Sequence, residues 1–416
     1  MPPVSRTARP VAPSLNEGED PIAPINPTAA TTLGACAPEH DRAVMLPPIA
    51  RVGDSLDAID TPALVVDLDK FEGNLHRMQS WATEHGVALR AHAKAHKCPE
   101  VALRQIALGA VGICCQKVSE VIPFVNAGVT DILISNEVVG APKLALLAEL
   151  TKRARVAVCV DDAGNLRAIG EAMRAAGTQV DIMVEVDVGQ GRCGVATSEA
   201  VLALARQAGE SEGLRFRGLQ AYHGTVQHIR SPQERAKVCS AVSTRVRGIV
   251  DDLAAHGVTC ESISGAGTGS AQFDAPGGVY TELQAGSYAF MDVDYGSNTW
   301  DDALRFDVSL TLLTTVMSVA TPGRAVLDAG LKSMTVEAGM PTVAVSPDAT
   351  RYRVIQVNDE HTILALDGGA APALGDKVAL VVPHVDPACN LHDAFVAVRN
   401  GRVERIWPIS ARGLSR

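Results

Sequence analysis

The sequence predicts an α/β protein: a closed (β/α)8 barrel of the TIM type followed by a mostly antiparallel β domain. From residue 61 onward, short apolar runs of strand length alternate with longer segments of helical period, as parallel βα units do. Eight such runs follow the first one, and eight parallel strands with intervening helices close into a barrel. Beyond about residue 303 the helical period ends, and β-rich runs with turns such as Asn400-Gly401 replace it.

The predicted barrel strands are separated by stretches of helical period. Residues 234–257 show this period clearly, because their apolar side chains recur along one helix face. The first apolar run, 61–68, precedes the barrel strands, so we expect it to pair with the β domain and bring the chain's two ends together. The barrel strands are predicted at 88–94, 111–116, 131–136, 155–161, 181–188, 214–222, 262–268 and 281–290.

These patterns divide the chain into a leader over 1–50, a barrel over 51–302 and a β domain over 303–416. The leader holds ten of the 23 prolines and few large apolar residues, so we expect it to be disordered. Its first sixteen residues contain two arginines and no acid, as in a transit peptide, but no convincing amphipathic helix. We therefore expect a cytoplasmic protein, with organellar targeting by the leader as the alternative.

The composition argues against several classes of partner. Hydrophobic residues at 47% and charged residues at 20% of 416 are usual for a globular protein. Aromatic residues at 4% and a net charge of −10 argue against nucleic-acid and anionic-membrane partners. No run of about 18 uncharged apolar residues is present, so we expect no membrane span. Nine scattered cysteines without a CxxC pair indicate reduced thiols.

Lys94 is the first candidate for chemistry. It ends the first predicted barrel strand, and active sites in such barrels lie at the carboxyl ends of the strands. A partly desolvated lysine beside His92, His96 and Lys97 should have a depressed pKa and attack an aldehyde. The alternative is a surface lysine in a basic loop.

A glycine-rich loop follows the seventh predicted barrel strand. Alternating glycines with Thr268 and Ser270 expose backbone N–H groups and hydroxyls that suit a phosphate. Barrel phosphate sites commonly follow strands seven and eight, although most glycine-rich turns are only turns. A strand-end lysine combined with this loop predicts pyridoxal 5′-phosphate (PLP), because that cofactor needs both an amine and a phosphate cradle.

His384 and Asp386 form a candidate metal pair in the β domain. Residues at i and i+2 of an extended segment point to the same side, so both side chains could reach one ion. The alternative for an isolated pair of this kind is a solvated loop.

Six segments together resemble the fold-type III PLP family, the alanine-racemase-like enzymes. Within it they are similar to the group that holds D-threonine aldolases, D-3-hydroxyaspartate aldolases and D-serine dehydratases. The resemblance covers residues 60–416 and leaves the leader outside. The segments are DTPALVVDLD, RAHAKAHK, GAVGICCQKVSE, SGAGTGS, LDAGLK (327–332) and PHVDPACNLHD (383–393).

The resemblance implies a role for each cofactor-binding residue. Lys94 matches the Schiff-base lysine, and Arg192 matches the arginine that lies against the cofactor's phenolic oxygen. Tyr222 matches a tyrosine near the cofactor ring. Gln284 stands where alanine racemases carry an arginine, which leaves the protonation of the ring nitrogen open. The phosphate loop matches Gly267, Thr268 and Gly269.

The resemblance also implies the catalytic and metal residues. Besides Lys94 and Tyr222, His228 matches a histidine proposed to handle the proton of the substrate hydroxyl, with His223 as its rival. His384 and Asp386 stand at the family's metal site. Dehydratase members tend to have His-x-Cys, where a thiolate favours zinc, whereas a carboxylate suits Mn²⁺ or Mg²⁺.

The resemblance therefore implies a metal- and PLP-dependent lyase that cleaves D-3-hydroxy amino acids, such as D-threonine or D-allo-threonine, to glycine and an aldehyde. D-3-hydroxyaspartate aldolase and D-serine or 3-hydroxyaspartate dehydratase are the alternatives among enzymes. A non-catalytic PLP carrier is the alternative from another class, and residues 303–416 with their metal pair argue against it. Relatives are head-to-tail dimers, so we expect a homodimer acting on a small-molecule D-amino acid.

Overall fold

The computed structural model describes residues 46–300, 303–344, 351–368 and 372–416. The predicted disordered leader and its transit-peptide alternative lie outside the described residues, apart from positions 46–50. Within the described ranges, no helix combines the length and the apolar composition that a membrane crossing requires. The eight cysteines of these ranges are free thiols.

A closed barrel of eight parallel strands follows strand β1 (Ala63–Asp67), which is not part of it. Each barrel strand pairs with the next along the chain, and the last pairs with the first. The predicted barrel is thus confirmed. Its strands are β2 (Ala88–His92), β3 (Gly112–Cys115), β4 (Asp131–Glu137), β5 (Arg155–Val160), β6 (Val180–Glu185), β7 (Leu214–Ala221), β8 (Ser262–Gly265) and β9 (Glu282–Leu283).

Helices connect the strands. They are α1 (Leu68–Glu84), α2 (Pro99–Ala107), α3 (Val121–Asn126), α4 (Ala141–Thr151), α5 (Ala163–Ala176), α6 (Ser198–Glu210), α7 (Pro232–Ala255), α8 (Ala271–Asp274) and α9 (Val293–Gly296). Asp67, Asp162, Thr197 and Ser231 are N-caps whose side chains accept hydrogen bonds from first-turn N–H groups. These caps fix where each helix begins, and with it the loops at the strand ends.

The remaining strands form a second sheet that is mostly antiparallel, as predicted. β1 lies in this sheet between β10 (Leu310–Ser318), to which it is antiparallel, and β16 (Ala394–Arg399), to which it is parallel. Leu64 packs in the main core and Val65 in a second cluster, so both faces of β1 are buried, as its continuous apolar run requires. The other strands are β11 (Arg324–Leu327), β12 (Thr342–Val343), β13 (Tyr352–Val357), β14 (Thr362–Leu366), β15 (Lys377–Val381) and β17 (Arg402–Pro408).

Charged side chains fill the amino-terminal end of the barrel. Arg90 of β2 donates to Glu282 of β9 at 2.9 Å and to Asp131 of β4 at 2.7 Å. Arg217 of β7 donates to the same glutamate at 2.9 Å. Because ion pairs occupy this end, the carboxyl ends of the strands are left for chemistry, as is usual in such barrels.

Candidate active site

Lys94 lies just past the carboxyl end of the first barrel strand. β2 ends at His92, and Ala93–Ala95 form a 3₁₀ turn that carries Lys94. Its Nζ atom is 3.1 Å from Oδ2 of Asp386, a residue of the β domain, and its side chain is 40% exposed. The amine is therefore held beside a carboxylate and within reach of a small molecule.

The predicted depression of the Lys94 pKa is wrong. The Asp386 carboxylate raises the pKa of Lys94, and this attraction outweighs desolvation. The basic neighbours in the sequence do not supply the expected positive field. Burial lowers the pKa of His92 to about 3 and that of His96 to about 4, so both rings are neutral. Lys97 is paired with a buried glutamate at 2.7 Å.

Tyr222 and Arg192 both interact electrostatically with Lys94. Tyr222 follows the last residue of β7, and the Arg192 guanidinium carbon lies 5.8 Å from the centre of its ring. Burial raises the pKa of the Tyr222 hydroxyl, while the nearby Lys94 and Arg192 charges oppose that rise. Both residues predicted to touch the cofactor thus lie within electrostatic range of the Lys94 amine.

Glu185 and Glu137 were not predicted from the sequence. Glu185 ends β6, and its Oε1 lies 3.5 Å from the Arg192 guanidinium. Burial, and then the neighbouring Glu137, raise the pKa of Glu185, while the Arg192 charge opposes that rise. Both glutamates end barrel strands, and that position was the signal in the sequence that could have identified them.

The glycine-rich loop after β8 packs against the turn that carries His228. A Cβ atom on Gly269 would lie 2.5 Å from the Gln227 carbonyl oxygen, and one on Gly267 would lie 2.5 Å from the Gln227 side-chain oxygen. Thr268 is buried, and its hydroxyl accepts a hydrogen bond from the Tyr288 N–H at 3.0 Å. Glycine is therefore required at Gly269 by close approach to backbone, whereas a Cβ atom on Gly267 would have to displace the Gln227 side chain.

This set of donor groups fits PLP. Lys94 offers an amine for the aldehyde, Arg192 a cation for the phenolic oxygen, and Thr268 a hydroxyl for the phosphate. The N–H groups of Gly267 and Gly269 donate to Ser270 Oγ at 3.1 Å and to Gln227 Oε1 at 2.8 Å. Gln284 is buried and donates to Gln220 at 2.6 Å and to a serine hydroxyl at 2.9 Å. The surroundings of that position are neutral amides and hydroxyls.

His228 lies in a 3₁₀ turn, Thr225–His228, that follows β7. Its Nδ1 atom is 2.5 Å from Oδ2 of Asp294, and its ring centre is 5.7 Å from that of Tyr295. Burial, and then Tyr222 and Asp386, raise the pKa of the Tyr295 hydroxyl. Tyr295 therefore lies against the His228 ring and interacts electrostatically with Tyr222 and Asp386, which both interact with Lys94.

The rival histidine has different surroundings. His223 Nδ1 lies 3.1 Å from the Thr225 hydroxyl, and the His223 side chain lines a groove of about 730 Å³ together with residues of α7, including Val238 and Ala241. This groove does not include Lys94 or Asp386 among its lining residues.

The side chains of the candidate metal pair, His384 and Asp386, lie close together, but Asp386 is not on an extended segment as predicted. His384 is the N-cap of α10 (Val385–Leu391), and Asp386 lies in the first turn of that helix. The extended-segment prediction is wrong for Asp386, because only the N-cap keeps extended dihedrals and a helix begins after it. The atoms His384 Nε2 and Asp386 Oδ1 are nevertheless 3.9 Å apart.

The chemistry of this pair fits a divalent cation. Glu337 Oε1 lies 2.8 Å from His384 Nδ1, a contact that orients the ring and leaves Nε2 as the donor atom. Although burial favours the neutral acid, Lys94 and His384 hold the pKa of Asp386 below its ordinary value. Cys389 is buried, and burial raises the pKa of its thiol, as expected for a structural cysteine.

Three further residues around the site were missed from the sequence: Glu337, Asp294 and Tyr295. Glu337 lies in a loop without periodicity, and nothing local distinguishes it. Asp294 and Tyr295 lie in the short helix α9, directly after the eighth strand and its loop. Position after a barrel strand was the available signal for these two.

The chain is similar to several known proteins along most of its length. The family model of the alanine racemase N-terminal domain matches residues 66–294, and a model named for a serine dehydratase domain matches 309–398. The chain is 58% identical over 376 residues to a D-threonine aldolase from Arthrobacter sp, covering 90% of this chain and 98% of that protein. It is 45% identical over 362 residues to a 3-hydroxy-D-aspartate aldolase from Paracoccus denitrificans (strain Pd 1222), covering 85% and 92%. The crystal structure of D-threonine aldolase from Filomicrobium marinum has a TM-score of 0.86 and 46% identity, covering 89% of this chain and 100% of that one.

The two family models divide the chain much as the fold does. The first match covers barrel strands β2 to β9, and the second covers most of the β domain, including the metal pair. The resemblance inferred from the motifs is confirmed. The chain belongs to the alanine-racemase-like, fold-type III family of PLP proteins, in the group that contains the D-threonine aldolases.

Proposed function

We propose that this chain is a D-threonine aldolase that depends on PLP and a divalent cation. It would cleave D-3-hydroxy amino acids, such as D-threonine and D-allo-threonine, to glycine and an aldehyde. The observation that carries the proposal is the 3.1 Å contact between Lys94 and Asp386, which brings the amine and the metal pair together. The amine and the hydroxyl of such a substrate sit on adjacent carbons, so a site that handles both must be this compact.

PLP and the divalent cation each have candidate binding residues among the side chains described above. Bound PLP supplies an aldehyde for the substrate amine and a ring that takes up the electron pair of the broken bond. Lys94 would hold its aldehyde carbon, Arg192 its phenolic oxygen, and the loop 267–269 its phosphate. His384 and Asp386 would hold the cation, which polarises the substrate hydroxyl.

His228 accepts the proton of the substrate β-hydroxyl in this proposal. Its Nδ1 is engaged by Asp294 at 2.5 Å, which leaves Nε2 for the proton. As the proton leaves, the oxygen's electrons form the aldehyde carbonyl and the Cα–Cβ bond breaks. Lys94 and Tyr222 interact electrostatically, and either would return a proton to Cα in this proposal.

The second candidate is a dehydratase acting on D-serine or 3-hydroxyaspartate. There the same cation would assist the departure of hydroxide instead of the loss of a proton. Asp386 favours the aldolase, because a carboxylate with an imidazole suits Mn²⁺ or Mg²⁺, whereas a thiolate would favour zinc. A 3-hydroxy-D-aspartate aldolase differs from the first proposal only in the β-substituent, which loop residues would select.

Purified protein loaded with PLP and incubated with three D-amino acids, with and without Mn²⁺, separates these functions. We expect acetaldehyde and glycine from D-threonine, and only with the metal. Pyruvate from D-serine would identify a dehydratase, and glyoxylate formed mainly from 3-hydroxy-D-aspartate would identify the other aldolase. No product from any substrate would identify a PLP carrier. Light scattering of the same sample tests the proposed homodimer.

A further inference from the structure

His228 is held at one nitrogen by a single carboxylate. Its Nδ1 lies 2.5 Å from Asp294 Oδ2, while its side chain is 46% exposed. Because the Asp294 carboxylate can only accept, His228 Nδ1 must carry the hydrogen, and the neutral ring then has its lone pair on Nε2.

Asp294 is itself fixed in place. Its side chain is 10% exposed, and its second oxygen, Oδ1, accepts from Arg230 Nη2 at 2.5 Å. Nη1 of the same arginine donates to the Asp294 backbone oxygen at 2.6 Å and to Asn298 Oδ1 at 2.8 Å. The carboxylate therefore has one oxygen assigned to Arg230 and the other to His228, and it cannot rotate without losing both contacts.

The helix that carries Asp294 is also attached to the segment before the metal pair. Asp292, its N-cap, accepts from the Val385 N–H at 2.9 Å. The Val293 and Asp294 N–H groups donate to the carbonyls of Val382 and Pro383 at 3.0 and 3.2 Å. One short helix thus sets the position of His228 and of the metal-binding segment relative to each other.

We propose that Asp294 is the positioning residue of the proton acceptor: it fixes His228 in the Nδ1–H tautomer and orients Nε2 toward the substrate hydroxyl. The inference rests on the proposed function and adds to it the residue through which His228 acts. A purely structural ion pair would set the same tautomer and stabilise the α9 region, but changing that tautomer would leave kcat unaltered.

The variant Asp294→Asn separates these two possibilities, because of Arg230. The arginine can only donate, so it keeps the amide oxygen of the new side chain at the Oδ1 position. The amide NH₂ then occupies the Oδ2 position and donates to His228 Nδ1. This forces the hydrogen onto Nε2 and removes the lone pair that accepts the substrate proton.

The kinetic test compares Asp294→Asn with wild type and with a matched surface control, Asp307→Asn. Asp307 also pairs with an arginine, at 3.6 Å, but is 58% exposed. We expect kcat of Asp294→Asn to fall by about 100-fold or more, the lower range of general base catalysis, with KM changed by less than about threefold. The visible absorbance of bound PLP should be unchanged, and the control should match wild type. A kcat within about threefold of wild type would overturn the proposal.

The wild-type measurement in the spectroscopic test needs neither activity nor a folded variant at position 294. Protein labelled with ¹⁵N-histidine reports the tautomer of each ring, and the His228 signal is assigned by its loss in His228→Gln. We expect the Nδ1–H form in wild type at alkaline pH and the Nε2–H form in Asp294→Asn. An Nε2–H ring in wild type would overturn the proposal. Wild-type protein that cleaves no substrate but shows the Nδ1–H ring would refute the proposed function alone.

Discussion

Glu337→Gln should weaken metal binding without removing any metal ligand. Glu337 Oε1 accepts a hydrogen bond from His384 Nδ1 at 2.8 Å. The charge of the carboxylate therefore makes Nε2 a better electron-pair donor to a metal ion, and the contact holds the ring in place. Changes to such partners typically cost 10- to 100-fold in metal affinity. Glu337 is 52% exposed, and solvent screens its charge, so we expect the lower end, about tenfold or ~1.4 kcal/mol.

Calorimetric titration of Mn²⁺ into chelator-treated protein with PLP bound measures this change directly. The dissociation constant should rise about tenfold, and activity at saturating Mn²⁺ should recover to near the wild-type level. Glu360→Gln is the control, because Glu360 is similarly exposed, at 56%, and pairs with Lys332 instead. An unchanged Mn²⁺ affinity in Glu337→Gln would mean that the Glu337 charge does not support His384 as a metal ligand.

Three further substitutions test separate parts of the site. Arg192→Ala should weaken PLP binding and shift the visible absorbance, because a cation is lost from the phenolic oxygen; an unchanged spectrum and affinity would place Arg192 elsewhere. Gly269→Ala should lower PLP affinity about tenfold in equilibrium dialysis, because the new Cβ would lie 2.5 Å from a backbone oxygen and overpacking costs about 1–3 kcal/mol. The control is Gly248→Ala, where a Cβ would meet open space, and equal PLP affinity in the two variants would contradict this. Asp386→Cys should shift the metal preference in activity assays from Mn²⁺ toward Zn²⁺, and an unaltered preference would refute the assigned ligand.

The barrel could be predicted because the alternation of strand-length apolar runs and helical segments is visible among residues that are neighbours in the sequence. Each barrel strand is a short apolar run between helical segments, and the predicted runs overlap all eight observed strands. The eighth was predicted at 281–290, but it spans only Glu282–Leu283, because a 3₁₀ turn begins at Ser287. A run of apolar residues does not reveal where strand pairing stops.

Electrostatics at Lys94 was not predictable from neighbouring residues. The sequence places histidines and Lys97 beside Lys94, and these indicated a positive field. Burial neutralises the rings, Lys97 has its own glutamate, and the dominant charge comes from Asp386 in the other domain. The sign of a pKa shift depends on which charges the fold brings together in space, and the linear order of residues does not give this.

The same limit applies to the residues that orient the site. His228 and His384 were identified by resemblance, but their partners Asp294 and Glu337 were not. Each partner is far from its histidine in the chain and lies in a segment without periodicity. Only the packing of α9 and of the loops of the β domain brings these carboxylates within hydrogen-bonding distance.

Chemical reduction of the PLP-loaded protein tests the central claim most directly, because borohydride fixes the cofactor to the lysine that holds it. Trypsin does not cleave after a modified lysine, so an adduct on Lys94 should appear in a peptide spanning residues 91–97 that is uncut at 94. We expect that peptide from wild type, and its loss, together with all activity and visible absorbance, in Lys94→Ala. An adduct on Lys97 or any other lysine, in protein that cleaves D-threonine, would contradict the account.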